Sequence, residues 1–194
     1  MFNISAYEED VLRELSNIGS GNAATSLSIM LNKRVDINIP VVKFTNFKDV
    51  PDLLENKTQE RVIFTFKLTE AIKGCIGFIV TNDELERIGK TASQGYEIDS
   101  KTVVSEISNI ISGAYIGAIA NMMNTTINIS PPEITQDKLD DLFNSTKLYI
   151  KNLSDKILFI STRLIIEDEK FSGFYIFFLE SNSLRKILDY FKAY

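Results

Sequence analysis

The sequence predicts an α+β fold: duplicated αβ halves in a pseudo-twofold arrangement, sharing a largely antiparallel sheet with two long helices packed on it. Three observations lead there. Residues 10–40 lie without a gap over residues 102–132, with eleven identities in thirty-one positions. A second block, 74–88, matches 173–187 at an offset of 99 rather than 92, so the order of elements repeats with seven residues gained in the second copy. Around these blocks, β-branched and aromatic runs are joined by short polar turns, as in consecutive antiparallel strands.

Each half reads as a long helix, an extended segment, a short polar connection, two strands and a closing helix. In the first half Val11, Leu12, Leu15 and Ile18 share one side of a helix over about residues 7–31. Strands follow near 35–46, at RVIFTFKL near 60–69 and at GCIGFIV near 73–81, then a helix near 83–91. The second half repeats this, with a helix near 99–123, strands near 126–135, 146–165 and 171–180, and a last helix near 182–192. Runs such as SGFYIFFL are apolar almost throughout, which implies burial on at least one face. The expected unit is one domain made of two homologous halves, about 1–97 and 98–194, with a common core.

At 194 residues and 44% apolar content the chain can bury a substantial core, since a domain of this size hides roughly 70% of its unfolded surface. With 26 acidic against 21 basic residues there is no excess positive charge to release counterions from a phosphate backbone, so nucleic acid is not an expected partner. No stretch looks like the roughly 18 apolar residues of a membrane span and the N-terminus lacks a leader pattern, so a cytoplasmic protein without membrane insertion is expected. Cys75, the only cysteine, sits in an apolar run and reads as a buried small hydrophobe rather than a reactive thiol. There is no histidine, which removes Ser-His-Asp and Cys-His nucleophile systems and His-ligated zinc.

At 100° per residue, Asp10, Glu14, Asn17 and Gly21 form one narrow stripe on the first helix, opposite its apolar side. Thr102, Glu106, Asn109 and Gly113 fill the same stripe on the second long helix, opposite Val103, Val104, Ile107, Ile110 and Ile111. One Glu-x-x-Asn pair would be an ordinary solvated helix face. Two copies in the same register are harder to dismiss. A mid-helix Gly costs about 1 kcal/mol relative to Ala, so Gly21 and Gly113 serve either a kink, close helix packing, or the approach of another molecule to bare backbone.

A carboxamide can hold a water in line but does not titrate, which suits it to phosphoryl transfer, where positioning dominates. A Glu one turn away could pair with a partner's lysine. The stripe offers no cluster of cations or metal-binding carboxylates, so a metal and positive charge must arrive with the substrate, which points to a phosphoprotein with its own metal site. Gly19, Gly21 and Ala24 formally satisfy the G-x-G-x-x-A dinucleotide fingerprint, but that motif needs a strand before the glycines, and helix already occupies 7–18.

These residues resemble the CheC-type chemotaxis phosphatases, a family that also includes CheX and the phosphatase part of FliY. The family signature is Asp or Ser, Glu four residues on, Asn three further and Pro twenty-three beyond. Asp10, Glu14, Asn17 and Pro40 meet every position, while Glu106, Asn109 and Pro132 repeat it with Thr102 where Asp or Ser is expected. The resemblance implies hydrolysis of the aspartyl phosphate of a CheY-like response regulator, each Asn positioning water and each Glu contacting a regulator lysine. It implies no cofactor of the chain's own, Mg²⁺ being supplied by the regulator, and structural roles for Pro40 and Pro132 at the turn into the following strand. Two Glu/Asn pairs and no length for a further switch domain fit a CheC-like chain better than a CheX-like or FliY-like one. The other expectation is a non-catalytic adaptor that binds CheD or the flagellar switch, with CheD contacts around DKLDDLF at 137–143.

Overall fold

A computed structural model describes residues 5–46, 49–50, 53, 60–137 and 156–192. Helix α1 (Ala6–Leu31) leads into strand β1 (Val35–Asn46), followed by β2 (Arg61–Glu70), β3 (Gly74–Thr81) and α2 (Asn82–Ala92). The second half runs through α3 (Ser100–Met122), β4 (Ile127–Ile129), β5 (Glu133–Asp137), β6 (Lys156–Ile166), β7 (Glu169–Leu179) and α4 (Ser181–Lys192). The α+β class and the large antiparallel sheet are therefore as the sequence predicts. Residues 146–155, expected to begin a strand, and 138–143, the greater part of the DKLDDLF stretch, lie outside the described residues.

Among the described residues, seven strands join one antiparallel sheet in the order β1-β6-β7-β3-β2-β4, with β5 also paired to β2. The order is symmetric about the central β3–β7 pair, and Gly77 faces Ile176 there, two positions related by the sequence offset of 99. The first strand after each long helix crosses to the far side: β1 pairs with β6, while β4 and β5 pair with β2. Each half thus completes the sheet edge of the other.

Alternation along the strands divides the core between two faces. Phe64, Phe66, Ile76, Phe78, Tyr175 and Phe177 lie under the helices, whereas Ile63, Cys75, Ile79, Phe159, Ile176 and Phe178 form a smaller cluster on the reverse face. Burial on both faces explains why β3 and β7 are apolar almost throughout.

A capping box starts α1: the Ser5 N–H donates to Glu8 Oε2 at 2.6 Å and the Glu8 N–H to Ser5 Oγ at 3.2 Å. Leu12, Leu15, Leu27 and Leu31 are buried beneath it, each contributing about 1.5–3 kcal/mol. Asp99 caps α3 by accepting the Thr102 N–H at 3.0 Å. Helices α1 and α3 run antiparallel and meet closely at Gly19, where an added Cβ would lie 2.5 Å from Tyr115 Cδ1.

Three expectations need correction. The segment 126–135 is two short strands, because Pro131 and Pro132 lack N–H groups for a ladder and the chain leaves β4 at Ser130. Pro40 falls inside β1, at a shift of register between Asn38 and Val41, rather than at the turn into the strand. An 18-residue window of α3 reaches a mean hydropathy of 1.4, enough by length and composition for a membrane span, and 44% of it is buried against the rest of the chain. That apolarity belongs to a central helix packed on α1, α2 and β4.

Candidate functional site

Asp10, Glu14, Asn17 and Gly21 are all exposed along α1, on the side away from the buried Leu12, Leu15, Ser16 and Gly19. On α3, Thr102 and Glu106 are exposed, while Asn109 and Gly113 are half-buried. Each helix therefore carries its Glu and Asn one turn apart on one open stripe. Among the described residues, none of the Glu14, Asn17, Glu106 and Asn109 side chains has a hydrogen bond or ion pair within the chain. Their polar atoms are left to solvent or to a partner.

Of the readings left open for the two glycines, close helix packing is removed. A Cβ added at Gly21 or Gly113 would meet nothing within 4 Å, so neither is needed for packing among the described residues. Close packing is instead the work of Gly19, which lies against Tyr115. The Glu/Asn stripes thus run past patches of bare, accessible backbone.

Behind the stripes lie small buried serines whose hydroxyls are satisfied within their own helices. Ser16 Oγ donates to the Leu12 carbonyl at 2.7 Å, and Ser20 Oγ to the Asn17 carbonyl at 2.9 Å. On α3, Ser108 Oγ donates to the Ser105 carbonyl at 2.9 Å, and the Tyr175 hydroxyl to the Ser108 carbonyl at 3.4 Å. Asn109 therefore follows a residue tied to the sheet.

The stripes are not identical. Where α1 has Glu9, Asp10, Arg13 and Glu14, α3 has Lys101, Thr102, Ser105 and Glu106. Ile18, expected on the buried side, is 44% exposed, because it sits at the edge of the stripe beside Asn17; its counterpart Ile110 is half-buried. Around Glu106 there is also a groove between the end of α1, the segment after α2 and the start of α3. Sequence reading passed over the groove, although the exposed Tyr96 and Ile98 in the turn QGYEID were a possible signal. Among the described residues no group of three or more Cys, His, Asp or Glu is placed to share a metal ion. Pro132 is half-buried between β4 and β5, and Pro40 lies in β1, so neither belongs to a stripe.

A sheet symmetric about its centre, with two helices presenting Glu and Asn in the same register, defines a helix-on-sheet protein with a doubled polar stripe. The CheC-like family model matches residues 8–44 and 100–135, the long helix and following strands of each half. It is 21% identical over 174 residues to the CheY-P phosphatase CheC of Bacillus subtilis, covering 84% of this chain and 83% of that protein. It is also 25% identical over 162 residues to the flagellar motor switch phosphatase FliY of the same organism, covering 77% of this chain but 42% of that protein. Among solved structures, Thermotoga maritima FliY shares the fold, with a TM-score of 0.77, 23% identity and 99% of both chains covered.

Proposed function

We propose that this chain is a phosphatase that removes the aspartyl phosphate of a CheY-like response regulator, and that it does so at both stripes. The observation that carries this reading is the repeated Glu/Asn pair on the open side of each long helix, without a partner among the described residues and set beside a glycine where an added Cβ would meet nothing. The names of the two Bacillus subtilis relatives, both phosphatases, support the reaction class.

In this mechanism Asn17 or Asn109 enters the regulator's site and its carboxamide holds a water in line with the phosphorus. The water oxygen bonds to phosphorus as the bond to the aspartyl oxygen breaks, the carboxylate leaves with the electron pair, and the water's protons stay with the oxygens of the released phosphate. Glu14 or Glu106 pairs with a regulator lysine and sets the docking register. Mg²⁺ comes with the regulator in this reading. The chain acts in the cytoplasm, as a single domain of two homologous halves.

The test is the decay of a phosphorylated receiver with Mg²⁺, alone and with wild type, Asn17→Ala, Asn109→Ala and the double variant. Each single variant is expected to lose about 10²-fold of the turnover at its own stripe, the scale of a misplaced reactant, and the double variant to lose both. Decay no faster with wild type than without it would end the phosphatase reading. Binding of CheD or the receiver without turnover would then favour the adaptor.

A further inference from the structure

The groove beside the second stripe has a volume of about 450 Å³, and Thr102 and Glu106 form part of its wall. Met30, Leu31, Ala92, Tyr96, Ile98 and Val103 supply its apolar lining. Glu106 is the one charged residue among those described that line it. Three of the apolar side chains stand out into solvent, Met30 at 40%, Tyr96 at 73% and Ile98 at 49% exposure.

Their exposure does not come from a slack loop. Gln94 and Gly95 turn the chain in the left-handed region, at φ 55° and 85°. The Gln94 side-chain amide donates to the Leu31 carbonyl at the end of α1. The Ser93 N–H donates to the Gly89 carbonyl at 2.9 Å, the Tyr96 N–H to the Ser93 carbonyl at 3.0 Å, and the Ile98 N–H to the Tyr96 carbonyl at 2.9 Å. The segment 93–98 is thus fastened to the ends of α1 and α2 while it holds two large apolar groups outward.

We propose that residues 93–98 together with Met30 form a docking lip for the second stripe. The lip takes an exposed apolar side chain that lies beside a lysine or arginine on the surface of the receiver served by Asn109. This rests on the proposed function. It follows from continuity, since Glu106 belongs both to the stripe and to the groove, and from charge, since the complement of an apolar groove with a single carboxylate is an apolar group beside a cation. The first stripe, with Glu9, Asp10, Arg13 and Glu14 at its start, relies more on charge. The lip therefore makes the two stripes differ in how they hold the receiver.

The experiment uses the full chain with Tyr96→Ser and Ile98→Ser combined, in the Asn17→Ala and Asn109→Ala backgrounds. In the Asn17→Ala background, where the second stripe works alone, KM for the phosphorylated receiver is expected to rise about tenfold with kcat held, the scale of losing an interface anchor. In the Asn109→Ala background KM should change less than twofold. An equal rise in both backgrounds, or none in either, overturns the inference and leaves the phosphatase reading intact. If no form hydrolyses the phosphate, the phosphatase reading falls. Calorimetric titration with a receiver held in its active form by beryllofluoride then decides the inference alone: a tenfold loss of affinity at one of two binding sites in the loop variant sustains it, and an equal loss at both, no change, or absent binding overturns it. A self-association of wild type that the loop variant lacks, with receiver affinity unchanged, would show the lip to join copies of the chain and would also overturn it. Thermal unfolding should match wild type; should the combined variant unfold early, Tyr96→Ser and Ile98→Ser separately carry the same test.

Discussion

Asn32 and Asn124 are one of the eleven repeated identities, and each follows a long helix with φ at 46°. Asparagine tolerates that left-handed backbone better than other residues with a Cβ, so this identity is a matter of local geometry. Ser16, Ser20, Ser108 and Ser112 are repeated because they are buried behind the stripes, where a larger side chain would push the helices apart. Glu14, Asn17 and Gly21, with their counterparts, have no such local reason. All the same, sequence alone could not separate the two kinds of glycine. Gly21→Ala meets open space and removes the helical cost of glycine, so it is expected to stabilise the fold by about 0.4–1 kcal/mol. In thermal unfolding the gain should read as a rise of about 1–4 °C, accompanied by weaker receiver binding, because the new methyl group stands on the proposed contact surface. A gain in stability with undiminished affinity would show that Gly21 is not a point of contact.

The long helices were legible from their apolar spacing, and their observed ends, Ala6–Leu31 and Ser100–Met122, lie within a residue of the expected ones. Most strands were as clear. The pairing of strands was not, because β1 meets β6 across more than a hundred residues, and apolar patterning reports burial without naming the partner strand. The break at Pro131 and Pro132 was visible as two prolines, yet a single Pro40 is accommodated within β1 by a shift of register. The helix crossing was hidden more deeply, since Gly19 looked like part of a nucleotide motif and Tyr115 like one aromatic among many. Their contact yields a prediction of opposite sign to that for Gly21, two residues away. A Cβ at Gly19 would lie 2.5 Å from Tyr115 Cδ1 and 3.0 Å from Tyr115 Cα, and the latter is backbone that cannot swing aside. Gly19→Ala should therefore destabilise by about 1–3 kcal/mol, read in urea unfolding, despite alanine's better helix propensity. A neutral or stabilising result would mean that α1 and α3 can separate at little cost.

The whole molecule shares one sheet whose two covered faces hold acidic groups that ionise only with difficulty. Burial pushes the Cys75 thiol, on the reverse face, from 9.0 up to about 12. Burial likewise raises the Tyr115 and Tyr175 hydroxyls above their ordinary 10.0, between the helices and the sheet. For each, the unfolded chain loses its proton at a lower pH than the folded one, so above that pH the unfolded state binds fewer protons and is favoured by further increase. Stability from these groups is fully present below about pH 9, the ordinary thiol value, and falls as pH rises toward 12. The decline is expected at about 1.4 kcal/mol per pH unit for each group in its titrating range, with Cys75 contributing first. Urea unfolding of wild type and Cys75→Ala from pH 7 to 11 measures this. The difference in free energy between the two proteins should be constant to about pH 9 and then shift with pH in favour of the variant, whose remaining decline begins nearer 10, where the tyrosines ionise in the unfolded chain. Because the thiolate is the reactive form, iodoacetamide at pH 8 should leave the native thiol unmodified and label it only as the chain unfolds. A difference flat to pH 11, or rapid labelling of the native protein, would mean that water reaches the reverse face of the sheet and that the core there is open.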